Sequence, residues 1–261
     1  GHNILGNKSY MPGRLTGFLD GELVIGYYFM GFALLAFIFL DKQIGNKNYT
    51  VFILITFVLV SFIIGERSNF IKFFIGSSIL LFFVTNINFK KAVLILGLFL
   101  LTFFALLNFN EQIKYKYKSQ FLAADVGGIN DLLKSSLYIA HYDAAYKIFQ
   151  EYPVFGIGIK NFRSESRKDK YRNDKLLKTN SRGSTHPHQI HFEILSETGL
   201  FGYISFVILI VVSLSISIKN YFKQRNIYQL SSIVFIITFI IPFLPSGSFF
   251  STFTAALFWV N

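Results

Sequence analysis

The chain has 261 residues, 52% of them hydrophobic and only 15% charged, with a mean hydropathy of +0.48. A soluble domain carries about 25% charge, and a fold this apolar would expose large greasy patches in water, which excludes an ordinary cytosolic enzyme. The 25 basic against 14 acidic residues, net +11, fit short membrane-protein loops, which concentrate Lys and Arg, rather than a nucleic-acid partner.

A spanning helix needs about 20 apolar residues. Runs of that kind lie at 22–40, 49–65, 69–87, 91–109, 199–218 and 229–245, with a shorter one at 248–261. The fold class is therefore an all-α, polytopic transmembrane bundle of about six or seven spans with one large, partly helical loop. It divides into spans one to four (1–109), the loop (110–198) and the remaining spans (199–261). Pro242, Pro245 and Gly247 make the last two runs either two short spans or a broken, re-entrant pair. Charges sit at span ends and in loops, with almost none of the mid-span ionisable residues of an ion-coupled transporter.

Lys42 and Lys47, Lys90 and Lys91, and Lys219, Lys223 and Arg225 all fall on one side if the spans alternate. That side reads as cytoplasmic. Arg14, the turn Gly65-Glu66-Arg67-Ser68 and the loop 110–198 take the other. The loop holds 14 basic and 10 acidic residues, and loops this long translocate largely regardless of charge.

Within the loop, Leu133, Leu137, Ala140, Ala144 and Ile148 recur at helical spacing and predict a helix over 131–151. Pro153-Val154-Phe155-Gly156-Ile157-Gly158 predicts a turn. Residues 160–182 carry nine basic and three acidic residues without apolar periodicity and read as a mobile basic loop. A second helix is expected from about Pro187 to Gly199.

His186, His188 and His191 stand within six residues. A zinc site is one reading, but there is no Cys, Pro187 divides the trio, and no His-Glu-x-x-His spacing occurs; no metal is assigned. Interfacial histidines are the bland reading, and a general base is the third, since imidazole titrates near neutrality. Arg67 and Arg14 are either interfacial charges or anion clamps. Arg163 is either solvated or drawn to a phosphate. His141 reads as structural. Glu193 and Glu197 share a helix face, Glu193 toward water and Glu197 as a possible orienter of a histidine.

His188-Gln189, nine residues, Gly199, two residues, Gly202 resembles the loop motif of the O-antigen ligase and polymerase family. Thr185-His186-Pro187-His188, Leu195-Ser196-Glu197-Thr198-Gly199-Leu200 and Tyr152-Pro153-Val154-Phe155-Gly156-Ile157-Gly158 resemble it too. So do Gly65-Glu66-Arg67-Ser68 and Arg14-Leu15-Thr16-Gly17-Phe18. The matches run from about residue 12 to 250, in the expected order, and resemble the second half of family members.

The resemblance implies transfer of a glycan from an undecaprenyl-pyrophosphate-linked donor. The acceptor is a lipid A-core sugar in a ligase or another lipid-linked repeat in a polymerase; a polysaccharide flippase is a more distant alternative. It implies His188 as catalytic base and Arg67, Arg14 and Arg163 as pyrophosphate ligands. His191, His186 and Glu197 support them, and no cofactor is implied. It places the chain in a bacterial inner membrane with 110–198 in the periplasm. It departs from the family in lacking an arginine over 131–147. The absent initiator Met and the end inside an apolar run at Trp259-Val260-Asn261 predict a piece of a longer protein, inactive by itself.

Overall fold

A computed structural model describes residues 24–85 and 129–261, with residues 6, 11, 13–16 and a few isolated positions between 97 and 111. All regular structure among the described residues is helical. The chain forms two compact units. The first comprises 1–124, 221–239 and 261, the second 125–220 and 240–260.

The first unit contains α1 (Ile25–Ile44), α2 (Lys47–Ile64), α3 (Arg67–Thr85) and α8 (Ile227–Phe239). The first three match the predicted spans to within three residues or so at their starts and meet the length and apolarity needed to cross a bilayer. α1 and α2 end where local chemistry requires. Gly45 (φ 63°) closes α1 with its N–H on the Asp41 carbonyl, and the Asn46 side chain caps α2 by accepting from Asn48 N–H at 3.0 Å. Gly65 (φ 81°) ends α2 in the same left-handed setting. Phenylalanines fill the interior edge to face, as in Phe29–Phe73 at 5.3 Å between centroids. Gly76 lets α3 and α8 approach closely, since a Cβ there would lie 3.1 Å from Val234. Phe52 and Phe82 face outward at 66% and 72% exposure, a surface suited to lipid and not to water.

Lys72 lies inside α3 and is buried, its Nζ 3.4 Å from the Phe239 carbonyl at the end of α8; an ammonium there offsets the negative end of that helix. The spans are thus not free of internal charge. Of the two readings of the runs at 229–245 and 248–261, the helices follow the broken one. α8 stops at Phe239, 240–251 is non-helical, and α9 (Thr252–Val260) has nine residues. Neither Pro242 nor Pro245 has an N–H to continue a helix. The predicted fourth span, 91–109, lies outside the described residues apart from isolated positions.

In the second unit, the helix expected over 131–151 is two, α4 (Ile129–Ser135) and α5 (Leu137–Glu151), divided at Ser136, whose side chain caps α5. α7 (Ile190–Gln224) has 35 residues, about 52 Å at 1.5 Å per residue and well beyond the ~30 Å hydrocarbon core. Gly199 breaks it with φ 65° and ψ −166°, a backbone setting open essentially only to glycine. The histidine-proximal stretch 190–198 therefore stands apart from the apolar stretch 200–218.

Candidate functional site

The two glycine segments of the sequence clasp each other. Pro153 and Val154 carbonyls accept from Leu200 N–H (2.7 Å) and Phe201 N–H (3.2 Å), while Ile157 N–H and Gly158 N–H donate to Ser196 (3.2 Å) and Glu197 (2.8 Å) carbonyls. Gly156 (φ 67°) and Gly199 touch backbone to backbone, and a Cβ on either would run into the other segment. Gly202 leaves room for the Thr198 side chain one turn earlier.

Glu197 is occupied in this clasp and not with a histidine. Its buried carboxylate accepts from Lys160 N–H at 2.7 Å and Phe162 N–H at 3.1 Å, fixing the start of α6 (Phe162–Glu165). Arg163 on that short helix is exposed.

The basic segment 160–182 is built rather than loose. Phe162 and Tyr171 are buried against Ala144, Ala145 and Ile148 of α5. The Tyr171 hydroxyl bonds Glu151 (2.8 Å) and Glu165 (2.9 Å). The buried Arg182 guanidinium donates to the carbonyls of Thr179 (3.2 Å), Arg167 (2.8 Å) and Lys168 (3.1 Å) and pairs with Asp169 at 3.2 Å. Order made by one side chain gathering carbonyls leaves no periodic signature, which is why the sequence reads as mobile.

Three imidazoles meet beside this segment. The ring centroid of His188 lies 4.1 Å from that of His186 and 5.2 Å from that of His141. Tyr138 approaches His188 edge-on at 5.8 Å. His141 Nδ1 lies 2.9 Å from the Arg182 carbonyl; a carbonyl only accepts, so Nδ1 carries the proton. His188 Nε2 is hydrogen-bonded with Ser184 Oγ at 3.0 Å.

The helix begins at Ile190, later than Pro187, because His188 has φ 58°. That conformation costs a non-glycine residue about 1–2 kcal/mol. A backbone hydrogen bond returns about 1 kcal/mol, so more than one contact must hold it. Ser246 N–H donates to the His188 carbonyl at 2.8 Å, and the next residue, Gln189, caps α7 by accepting from Phe192 N–H at 3.0 Å. Burial and the two neighbouring imidazoles push His188 down to about 3; burial, chiefly, pushes His186 down to about 4 and lowers His141 as well. All three are neutral at pH 7.

His191, a candidate support for His188, is engaged elsewhere. Its Nε2 donates to the Ile240 carbonyl at 2.7 Å, and Nδ1 accepts from the Tyr203 hydroxyl at 3.2 Å. Glu193 is buried, contrary to the expectation that it faces water, and accepts from the Ser248 hydroxyl and Phe249 N–H. Among the described residues no three His, Cys, Asp or Glu side chains form a metal-binding group.

Arg14 and Arg67 belong to the first unit. Arg14 pairs with buried Glu66 at 3.0 Å, and Glu66 also accepts from Gly26 N–H at 3.1 Å and from Asn69. Leu15 N–H donates to the Ile64 carbonyl at 3.0 Å, and a Cβ on Gly65 would run into the Gly13 carbonyl. The segment at 13–16 is thus fastened to the turn that ends in Arg67, the half-buried first residue of α3.

Sequence reasoning missed Glu66, Arg182, Ser184 and the place of His141. For His141 a signal existed: it precedes Ala144, Ala145 and Ile148 by three, four and seven residues, a polar group on the buried stripe of α5.

The family described as O-antigen ligase matches residues 50–207, more than half of the chain. The chain belongs to the O-antigen ligase family. No curated protein and no solved structure matches the chain significantly. The O-antigen ligase match covers Arg67, the glycine clasp and all three clustered histidines. A ligase- or polymerase-type glycosyl-transfer activity in a membrane follows at that level of detail.

Proposed function

We propose that the chain transfers a glycan from an undecaprenyl-pyrophosphate donor to a sugar hydroxyl of the lipid A core, as an O-antigen ligase of the bacterial inner membrane with 110–198 in the periplasm. The observation that carries this reading is His188 itself: a neutral imidazole in a left-handed backbone setting, at the histidine of the family motif. Non-glycine residues held in such settings collect at active sites.

In this scheme the acceptor oxygen attacks the anomeric carbon as the bond to the pyrophosphate oxygen breaks. The electron pair leaves with the pyrophosphate, and the hydroxyl proton passes to His188. An imidazole as weakly basic as His188 is a poor acceptor while alone. The negative charge of a bound pyrophosphate favours its protonated form, so the base strengthens only with the donor present. Arg67 is assigned to the pyrophosphate, with Arg14 and Arg163 in the same role; a guanidinium offers a planar fork of donors to phosphate oxygens and stabilises the leaving charge.

The test is His188→Ala and Arg67→Ala, separately, in a strain lacking its own enzyme, with membrane levels checked and surface glycan read on a gel. Removal of the base is expected to lower transfer by about 10²–10⁴-fold. Bare core supports the ligase; single repeats on the core point to a polymerase. Normal long glycan from His188→Ala refutes the catalytic role.

A further inference from the structure

The non-helical segment 240–249 is tied by five hydrogen bonds to the turn at His188, to the first turns of α7 and to α5. His191 Nε2 donates to the Ile240 carbonyl (2.7 Å), the Tyr142 hydroxyl to the Phe243 carbonyl (3.4 Å), and Ser246 N–H to the His188 carbonyl (2.8 Å). The Ser248 hydroxyl and Phe249 N–H (2.7 Å) both donate to Glu193. Pro242 and Pro245 keep this stretch out of any helix, so its shape depends on such ties.

Two features of Glu193 set it apart. It is 1% exposed, and burying a carboxylate is costly unless donors surround it. Its two oxygens take donors from adjacent residues, 248 and 249, just beyond the residue whose N–H holds His188. A carboxylate with convergent donors fixes a turn more tightly than a neutral acceptor. Mere docking of an apolar segment would need no buried acid: burial pushes the Glu193 carboxyl up to about 7, and the donors at 248 and 249 act against that shift in favour of the charged form.

We propose that Glu193 is a positioning residue for His188: its carboxylate clamps the turn at 246–249, which keeps the Ser246 N–H on the His188 carbonyl and so holds the imidazole in its left-handed setting. The proposal rests on the reading of His188 as the base. Without the clamp, the turn relaxes, the Ser246 bond lengthens, and His188 returns toward ordinary backbone geometry with its ring displaced.

The experiment measures transfer kinetics of the full-length protein in membranes, with a lipid-linked glycan donor and a core-sugar acceptor. Glu193→Gln keeps the volume but sets an NH2 against a donor. The expected result is a kcat lower by about 10- to 100-fold, the scale of a small misplacement of a catalytic group, with KM for both substrates within about twofold. Unchanged kcat, or a change confined to KM, overturns the proposal. Should Glu193→Gln fail to reach the membrane, Ser248→Ala decides the matter. It removes one donor only, and a several-fold loss in kcat supports the clamp while an unchanged kcat overturns it. His188→Ala, assayed alongside, separates the two ideas. An inactive His188→Ala with a normal Glu193→Gln removes the positioning role alone; an active His188→Ala removes the base and the proposal together.

Discussion

In the helical unit the side chains with no exposure include Leu34, Phe37, Ile38, Phe62, Phe73, Leu80 and Val234; the buried polar groups are mostly hydroxyls such as Thr50, Ser231 and Thr238, and the buried acidic and basic ones among the described residues are Glu66 and Lys72. In the unit that carries the motif, His141, Arg182, Gln189, Glu193, Ser196 and Glu197 are buried side by side with Ile148 and Phe162. The first is held by dispersion and aromatic packing, individually small and non-directional. The second is held by directional bonds from side chains to backbone, in which each partner is specified and each loss leaves a buried group unsatisfied. A membrane bundle tolerates substitution among apolar residues of similar volume. A polar network does not, and that is the unit in which a reacting group must be held to a fraction of an ångström.

The sharpest way to break this contrast is Gly199→Ala. The new methyl group meets the Val154 backbone, and the φ and ψ at 199 are closed to alanine. We expect loss of more than about 2 kcal/mol from the strain alone and near-complete loss of long glycan. Thermal unfolding in detergent and the glycan gel check this, and wild-type values for both would show the clasp to be dispensable. Arg182→Lys comes next. One ammonium cannot serve three separate carbonyls and Asp169 as a guanidinium fork does, so 160–182 should become rapidly cleaved by trypsin while the apolar helices stay protected. Equal protection of the variant and the parent would mean that the aromatic contacts of Phe162 and Tyr171 suffice.

The smallest effect concerns pH. Burial holds His141, His186 and His188 below the ordinary imidazole value of 6.5, His186 near 4 and His188 near 3. Unfolding returns them to it, so between those limits the unfolded chain binds more protons. Their contribution is present above pH 6.5 and drains away as pH falls toward 4 and 3. The melting temperature should therefore drop between pH 7 and 5. His141→Asn, which keeps a donor for the Arg182 carbonyl, should flatten that slope; an unaltered slope would assign the acid sensitivity elsewhere.

The two units also differ in how far the sequence disclosed them. Starts of α1, α2 and α3 were readable because an apolar run in lipid is nearly its own explanation. His188 stood out only because its spacing from Gly199 and Gly202 resembles the family motif. The left-handed turn at His188, the approach of His141, and the burial of Glu193 were not. Each depends on a partner distant in sequence — Ser246, Arg182, Ser248 — and periodicity carries no information about which carbonyl or hydroxyl arrives. Lys72 was hidden for the opposite reason, since a single lysine in an apolar run is read as part of the run.

The clasp between 153–158 and 196–201 has a consequence for the history of this segment. It closes the intervening chain into a ring without a covalent bond, with the ring's entropy settled at one point. Once the ends are joined, doubling the enclosed length costs only about 0.6 kcal/mol. Length can thus be gained or lost in the exposed parts of the stretch between Gly158 and Ser196 at little cost to the clasp, whereas Arg182, which gathers three carbonyls, and the histidines at its far end have no such freedom.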